Sequence, residues 1–101
     1  MAKQVVWSLS AQEDRKNILN YWRQRNGSIT YSRKLNLLFK EAITIIRKFS
    51  HIGRPTDLKN VRIKVVKDYL IIYESTETTI YILTIWDSRQ EPGKLDKKLL
   101  K

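Results

Sequence analysis

The chain has 101 residues, 20 of them Lys or Arg and 10 Asp or Glu, so its formal net charge is +10 at pH 7. This length fits a single domain, and a hydrophobic content of 42% with three Gly and two Pro excludes a disordered or fibrous chain. The charge predicts an anionic partner, for which nucleic acid, an acidic protein segment and an anionic membrane surface are candidates. The sequence has no cysteine, which excludes a disulfide scaffold and a cysteine nucleophile.

The sequence gives little support for a metal, cofactor or membrane role. His51 is the only histidine, so a histidine-based zinc site is not expected, and we predict neither a metal nor a cofactor. No apolar run reaches the ~18–20 residues that span a bilayer. The opening MAKQVVWSLS is too polar for a secretory signal peptide. We therefore expect a cytoplasmic protein without a membrane partner.

The N-terminal quarter predicts a strand followed by a capped helix. Residues 3–8 predict the strand, because β-branched and aromatic side chains dominate them. Ser10 and Glu13 match a capping box, in which the serine hydroxyl accepts an amide hydrogen of the first helical turn. The helix is predicted over 11–26, and Gly27 ends it because glycine readily adopts the left-handed conformation.

A second helix is predicted from an apolar stripe whose members are spaced by 4, 3, 4, 3 and 4 residues: Tyr31, Leu35, Leu38, Ala42, Ile45 and Phe49. Phe39 and Ile46 widen this stripe, and Ser28 or Thr30 is predicted to cap the helix. Since the link to the first helix is short, the two helices should form an antiparallel hairpin.

The C-terminal half predicts a sheet. A loop over 50–60 precedes strands at 61–66, 69–74 and 80–86. The predicted fold is α+β, with an N-terminal strand, a helix hairpin and a three-stranded antiparallel meander in the order βααβββ, the helices packing on one sheet face. Arg62 and Lys64 are expected on the opposite face. We predict one domain over 1–95 and a basic tail over 96–101.

Few residues match a catalytic arrangement. His51 lies in a predicted loop, where a lone histidine is more often a surface residue than a catalyst. Asp87 and Glu91 could form a pair of acids, although a salt bridge with Arg89 explains them more simply. The three glycines lie too far apart to form a phosphate-binding loop.

The strands and their connections carry a set of basic and aromatic residues: Arg54, Arg62, Lys64, Tyr69, Tyr73, Tyr81, Trp86, Asp87 and Arg89. Cations bind phosphates and rings stack on bases, which makes Arg54, Arg62, Lys64, Trp86 and Arg89 candidate contacts to a nucleic acid or another target. Such a set could cleave RNA without histidine or metal. The alternative is that the tyrosines are core residues and the arginines form a solvated face.

Four segments of the chain together resemble the toxins of the RelE/ParE superfamily, over about residues 4–95. VVWSLSAQED is similar to the strand and capped helix of these toxins, and RKFSHIGRP to the segment that leads into their loop, with Ser50 where many members have proline. NVRIKVVKDYLIIYE resembles their central hairpin, and ILTIWDSRQEPGKL their closing strand and following arginine.

The resemblance implies a growth-arresting toxin of a type II toxin–antitoxin module. One branch of the superfamily cuts messenger RNA on the ribosome, and for that branch the resemblance suggests Arg62, Lys64, Tyr69 and Arg89 as catalytic residues. In that branch an arginine usually follows the aromatic that starts the central strand, whereas Leu70 follows Tyr69 here, and no tyrosine follows Tyr81. The pattern is closer to the ParE-like branch, which inhibits DNA gyrase.

Three functions are therefore compared: a gyrase inhibitor, a ribosome-dependent endoribonuclease, and a basic binding module without toxicity. For either toxin, the expected partner is a cognate antitoxin, acidic and partly disordered. Its helix or strand should cover the basic face and the groove of the helix hairpin.

Overall fold

The computed structural model describes residues 3–89. Seven elements follow one another along the chain: β1 Gln4–Trp7, α1 Leu9–Asn26, α2 Thr30–Lys48, β2 Arg54–Pro55, β3 Val61–Val66, β4 Tyr69–Ser75 and β5 Thr79–Asp87. Glu91, the predicted domain boundary at residue 95 and the basic tail over 96–101 lie outside the described residues. Within residues 3–89, neither helix is long and apolar enough to cross a membrane.

The five strands form one sheet in the order β1-β5-β4-β3-β2. The predicted antiparallel meander is confirmed, because β3 pairs with β4 and β4 with β5 in antiparallel fashion. The sheet as a whole is mixed, since β1 runs parallel to β5, with Gln4 opposite Thr79. Parallel neighbours need a long crossover connection, and here everything between β1 and β5 supplies it.

The helix hairpin packs on one face of the sheet, as predicted. Alternate residues of a strand point to the same face, and those of β4 and β5 that face the helices are Tyr69, Ile71, Tyr73, Ile80, Ile82 and Ile85. From α2, the buried apolar residues are Leu35, Phe39, Ala42, Ile43 and Ile46. The main core is therefore a layer of aliphatic and aromatic side chains between helices and sheet, and Ile72 is buried on the opposite sheet face.

The predicted stripe on α2 is wrong at its C-terminal end. Ile45 and Phe49 are 38% and 63% exposed, whereas Ile43 and Ile46 are buried. A helix presents only a limited arc to its sheet, and the arc that begins at Leu35 continues through Phe39, Ile43 and Ile46. Ile45 and Phe49 lie outside that arc.

Both predicted N-caps need correction. α1 begins at Leu9, and its cap is Ser8, whose Oγ accepts from the Ala11 N–H at 2.9 Å, so Ser10 already lies inside the helix. The N-cap of α2 is Ile29, which makes no side-chain capping bond, while the predicted cap Ser28 lies one residue earlier and its Oγ accepts from the Thr30 N–H at 3.1 Å. The predicted stop is confirmed, because Gly27 closes α1 with a φ of +61°.

The predicted placement of Arg62 and Lys64 is also wrong. They pair across β3 and β4 with Tyr73 and Ile71, so they share the face that carries the helices. Strand alternation divides a strand into two faces, but it does not say which face the helices cover.

The predicted loop over 50–60 contains one short strand, β2, whose two residues are too few to show a periodic pattern.

Candidate functional site

The segment after α2 is anchored to the sheet through Tyr73. The Tyr73 hydroxyl donates to the Ser50 carbonyl oxygen at 2.8 Å and accepts from the Gly53 N–H at 3.0 Å. Arg62 holds the same segment, because its Nη1 donates to the carbonyl oxygens of Gly53 and His51 at 2.8 and 3.2 Å. Burial raises the pKa of Tyr73, so the hydroxyl stays protonated at neutral pH. Arg62 and Tyr73 thus form a structural anchor.

Tyr69, at the start of β4, lies under α1. Its ring packs edge-on against Phe39 with 5.9 Å between centroids, and its hydroxyl accepts from Trp22 Nε1 at 2.8 Å. Burial raises the pKa of Tyr69. The two buried tyrosines therefore agree with the interpretation of tyrosines as core residues, whereas Tyr81 points to the other sheet face.

At the end of β5, Asp87 and Arg89 form the predicted salt bridge. Arg89 donates from Nε and Nη2 to the two carboxylate oxygens of Asp87 at 3.0 and 2.8 Å, and its backbone N–H reaches the same carboxylate at 2.9 Å. These hydrogen bonds lower the pKa of Asp87, and Asp87 raises the pKa of Arg89. The charge of Arg89 is consequently balanced by a bidentate neighbour.

The predicted target-binding residues do not gather in one place. Arg62 and Lys64 lie on the helix face of β3, while Arg54 pairs with Ile63 and Trp86 with Leu70, which places both on the opposite face. Arg89 follows the far end of β5. Arg62 is level with Tyr73, and Asp87 with Tyr69. Tyr73 and Tyr69 are four residues apart on β4, so Arg62 and Asp87 are separated by about 13 Å along the strand direction. They are also two strands apart, β3 and β5, which adds about 10 Å in the perpendicular direction.

A cavity of about 510 Å³ between α1 and β5 does bring part of the predicted set together. This α1–β5 cavity is lined by Asp14, Asn17, Ile18, Tyr21, Tyr69, Ile85, Trp86, Asp87 and Arg89. Sequence reasoning missed its α1 residues, although 14, 17, 18 and 21 have the spacing of one helix face. β5 extends past the residues that pair with β1, so part of its edge has no neighbouring strand. There Asp14 takes the place of a strand partner, because its Oδ2 accepts from the Ile85 N–H at 3.1 Å and from the Thr84 hydroxyl at 2.5 Å.

A second concave surface runs along the helix hairpin and has a volume of about 760 Å³. This hairpin groove carries four cations and one acid, together with exposed apolar side chains at its ends: Arg15, Lys16, Arg23, Arg33, Glu13, Leu9 and Ile29. Asn36 also lines the groove, and its Oδ1 is buried without a hydrogen-bond partner among the described residues. The groove therefore combines positive charge with apolar surface.

Known proteins share this fold and, over most of its length, this sequence pattern. A solved structure titled "Chromosomal ParDE TA system from P. aeruginosa" is similar in fold, with a TM-score of 0.71 at 18% sequence identity. The match covers 83% of this chain and 94% of that chain. None of the curated proteins matches the sequence. Residues 5–92 match the family described as "ParE toxin of type II toxin-antitoxin system, parDE". The chain therefore belongs to the ParE family of toxins.

Proposed function

We propose that this toxin arrests growth by binding and inhibiting DNA gyrase, and that it does not cut messenger RNA. The observation that carries the proposal is that three of the four side chains suggested for RNA cleavage already have partners inside the protein: Arg62, Tyr69 and Arg89. Membership in the ParE family supports gyrase as the target. A cognate antitoxin is the second partner, because the family consists of toxins from toxin–antitoxin modules.

The two arginines have uses other than transition-state stabilisation. A cation stabilises a phosphorane only when its free N–H groups and its charge point at the reacting phosphate. Arg62 directs Nη1 at two backbone carbonyls, and the charge of Arg89 is balanced by Asp87. Their offset in the sheet further separates them. These features favour a binding protein over a nuclease.

Tyr69 is equally ill-suited to move protons. General acid–base groups work best when their pKa lies near the operating pH, whereas burial raises the pKa of Tyr69 above its usual value of 10.0. Lys64 is the one candidate without a hydrogen bond or ion pair among the described residues. Lys64 is thus a single half-buried cation, whereas the cleavage mechanism suggested by the resemblance uses several groups acting together.

A supercoiling assay tests the proposal. Purified gyrase, ATP and relaxed plasmid are incubated with the toxin, and we expect supercoiling to be inhibited at micromolar toxin. The double variant Lys64→Ala/Arg89→Gln removes two of the side chains suggested for RNA cleavage, so inhibition of supercoiling by this variant would show that the inhibition needs no ribonuclease chemistry. Full supercoiling activity in the presence of micromolar toxin would count against gyrase as the target.

Primer extension on messenger RNA after induction tests the ribonuclease alternative. We expect growth arrest without new RNA ends in phase with codons. A ribonuclease would produce such ends, and the double variant would lose both the ends and the arrest. If cells expressing the chain alone grew normally, the third function, a basic module without toxicity, would replace both toxin mechanisms.

For the antitoxin, the proposed binding surface is the hairpin groove. An acidic amphipathic helix fits it, because the described residues that line the groove include four cations, one acid and exposed apolar side chains at its ends. Raising NaCl from 0.05 to 0.5 M should weaken the complex by about tenfold or more, since salt screens exposed charge pairs. An antitoxin complex insensitive to salt and to Arg15→Gln/Arg33→Gln would show that it binds elsewhere.

A further inference from the structure

Two polar groups of the α1–β5 cavity have hydrogen-bonding capacity that residues 3–89 do not use. Tyr69 is only 3% exposed and accepts from Trp22, yet its own O–H has no acceptor in the described part of the chain. Asn17, an exposed residue on α1, makes no side-chain hydrogen bond with residues 3–89. Both line the cavity. An unused donor on a buried hydroxyl indicates a place for a ligand acceptor.

The same cavity contains an exposed aromatic ring that is held in position. Tyr21 is 47% exposed, and Trp22 packs against it in a T-shaped arrangement with 5.1 Å between ring centroids. Arg25, one helical turn away, places Nη1 3.5 Å from the Tyr21 hydroxyl. A solvated ring with a cation at its rim is an arrangement that suits base stacking beside a phosphate.

We propose that the α1–β5 cavity binds an unstacked nucleobase of a single-stranded nucleic acid. The base stacks on Tyr21, a ring or carbonyl acceptor receives the Tyr69 O–H, and the Asn17 amide pairs with the base edge. Arg25 faces the adjoining phosphate. The volume of about 510 Å³ lies within the ~300–1,000 Å³ typical of small-molecule sites.

A nucleobase fits the exposed ring, the unused hydroxyl donor and the amide of this cavity better than a phosphate or a peptide carboxylate does. Arg89, the one cation among the described residues that line the cavity, is already balanced by Asp87, so an anion alone would gain little from it. A base is neutral, flat and lined with both donors and acceptors, which matches a ring, a hydroxyl and an amide. The inference does not depend on gyrase, because it concerns only the nucleic acid.

Fluorescence anisotropy with labelled strands of about ten nucleotides, a length within the site sizes of single-strand binders, tests the proposal. The strands are oligo-dT, oligo-U, an abasic strand of equal length and charge, and duplex DNA. A protein of net charge +10 binds any strand through its phosphates, so the informative quantity is the ratio of affinities. We expect base-bearing single strands to bind at least about fivefold more tightly than the abasic strand, the lower end of stacking on one aromatic ring.

Three variants distinguish the cavity from general charge. Tyr21→Ala and Tyr69→Phe should reduce the affinity for oligo-dT or oligo-U toward that of the abasic strand and leave abasic binding unchanged. Tyr81→Ala is the matched control, since Tyr81 is 38% exposed on the other sheet face, and should retain the ratio. A thermal melt of each variant verifies folding. Equal affinity of the wild-type protein for base-bearing and abasic strands, or an equal loss in Tyr21→Ala and Tyr81→Ala, would overturn the proposal.

Discussion

Replacing Tyr73 by Phe removes one hydroxyl and leaves the ring in the core. That hydroxyl makes two buried hydrogen bonds, to the Ser50 carbonyl at 2.8 Å and from the Gly53 N–H at 3.0 Å. Each buried polar group left without a partner costs about 1–3 kcal/mol, so the variant, which leaves two such groups, should lose about 2–6 kcal/mol of unfolding free energy. Domains of this size have about 5–15 kcal/mol in total, which makes the loss a large fraction.

Urea denaturation followed by tryptophan fluorescence and a thermal melt measure the effect. The melting temperature should fall by roughly 10 °C or more, since about 1 kcal/mol shifts a domain of this size by ~4–8 °C. Tyr81→Phe is the control, because it removes a more exposed hydroxyl, and should stay within about 0.5 kcal/mol of the wild-type protein. A loss below about 1 kcal/mol in Tyr73→Phe would refute the view that this hydroxyl anchors the segment after α2.

Gly53→Ala supplies an independent check of the same anchor. A Cβ at Gly53 would lie 2.7 Å from the Tyr73 hydroxyl and 2.9 Å from both the Ile63 carbonyl oxygen and Tyr73 Cε1. The substitution should destabilise the protein, and less so in the Tyr73→Phe background, where the shortest of these three clashes is removed. Equal costs in both backgrounds would mean that the hydroxyl does not set the space around Gly53.

Three further predictions concern the helix cap and two titratable groups. Ser8→Ala should cost about 1–2 kcal/mol of unfolding free energy, since it removes the helix cap and a hydrogen bond to the Leu83 carbonyl. Ser10→Ala should be nearly neutral. Equal costs of the two substitutions in urea denaturation would contradict Ser8 as the cap. Burial raises the pKa of Tyr69 in the folded state, so above pH 10 the unfolded state binds fewer protons than the folded state. The free energy of unfolding should therefore fall above pH 10, and it should fall less steeply in Tyr69→Phe. The pKa of Asp87 is lowered in the folded state, so Asp87 should stabilise the folded protein above its usual pKa and lose that effect as the pH falls through that value and below. In Asp87→Asn, the free energy of unfolding should therefore depend less steeply on pH in the acid range. An unchanged slope would contradict the bidentate pair.

The order of elements was accessible from local patterns. The turn at Gly27 and the alternation in β3 to β5 depend on neighbouring residues, and both appear in the structure at the predicted positions. The α1 cap was not accessible in the same way. Local criteria favour Ser10, because Glu13 completes a capping box with it, whereas the bond from Ser8 Oγ to the Leu83 carbonyl, 75 residues away in the chain, favours Ser8.

For the candidate site, the sequence predicted basic and aromatic residues but not the full set that the fold brings together. Sequence reasoning named Tyr69, Trp86 and Arg89, which line the α1–β5 cavity, but it gave no site role to Asn17 and Tyr21 of α1. It placed Arg62 on an open basic face, whereas Arg62 binds backbone carbonyls of the segment that follows α2. The difference arises because the partner of a long side chain depends on segments distant in sequence.

Charge, family membership and the succession of strands and helices follow from the order of amino acids alone, because composition adds up residue by residue and periodicity is a local property. Packing alone determines which sheet face lies beneath the helices, which cations already have partners, and where a cavity opens. The reason is that each of these features depends on the relative positions of α1, α2 and β5, which only the folded chain brings together.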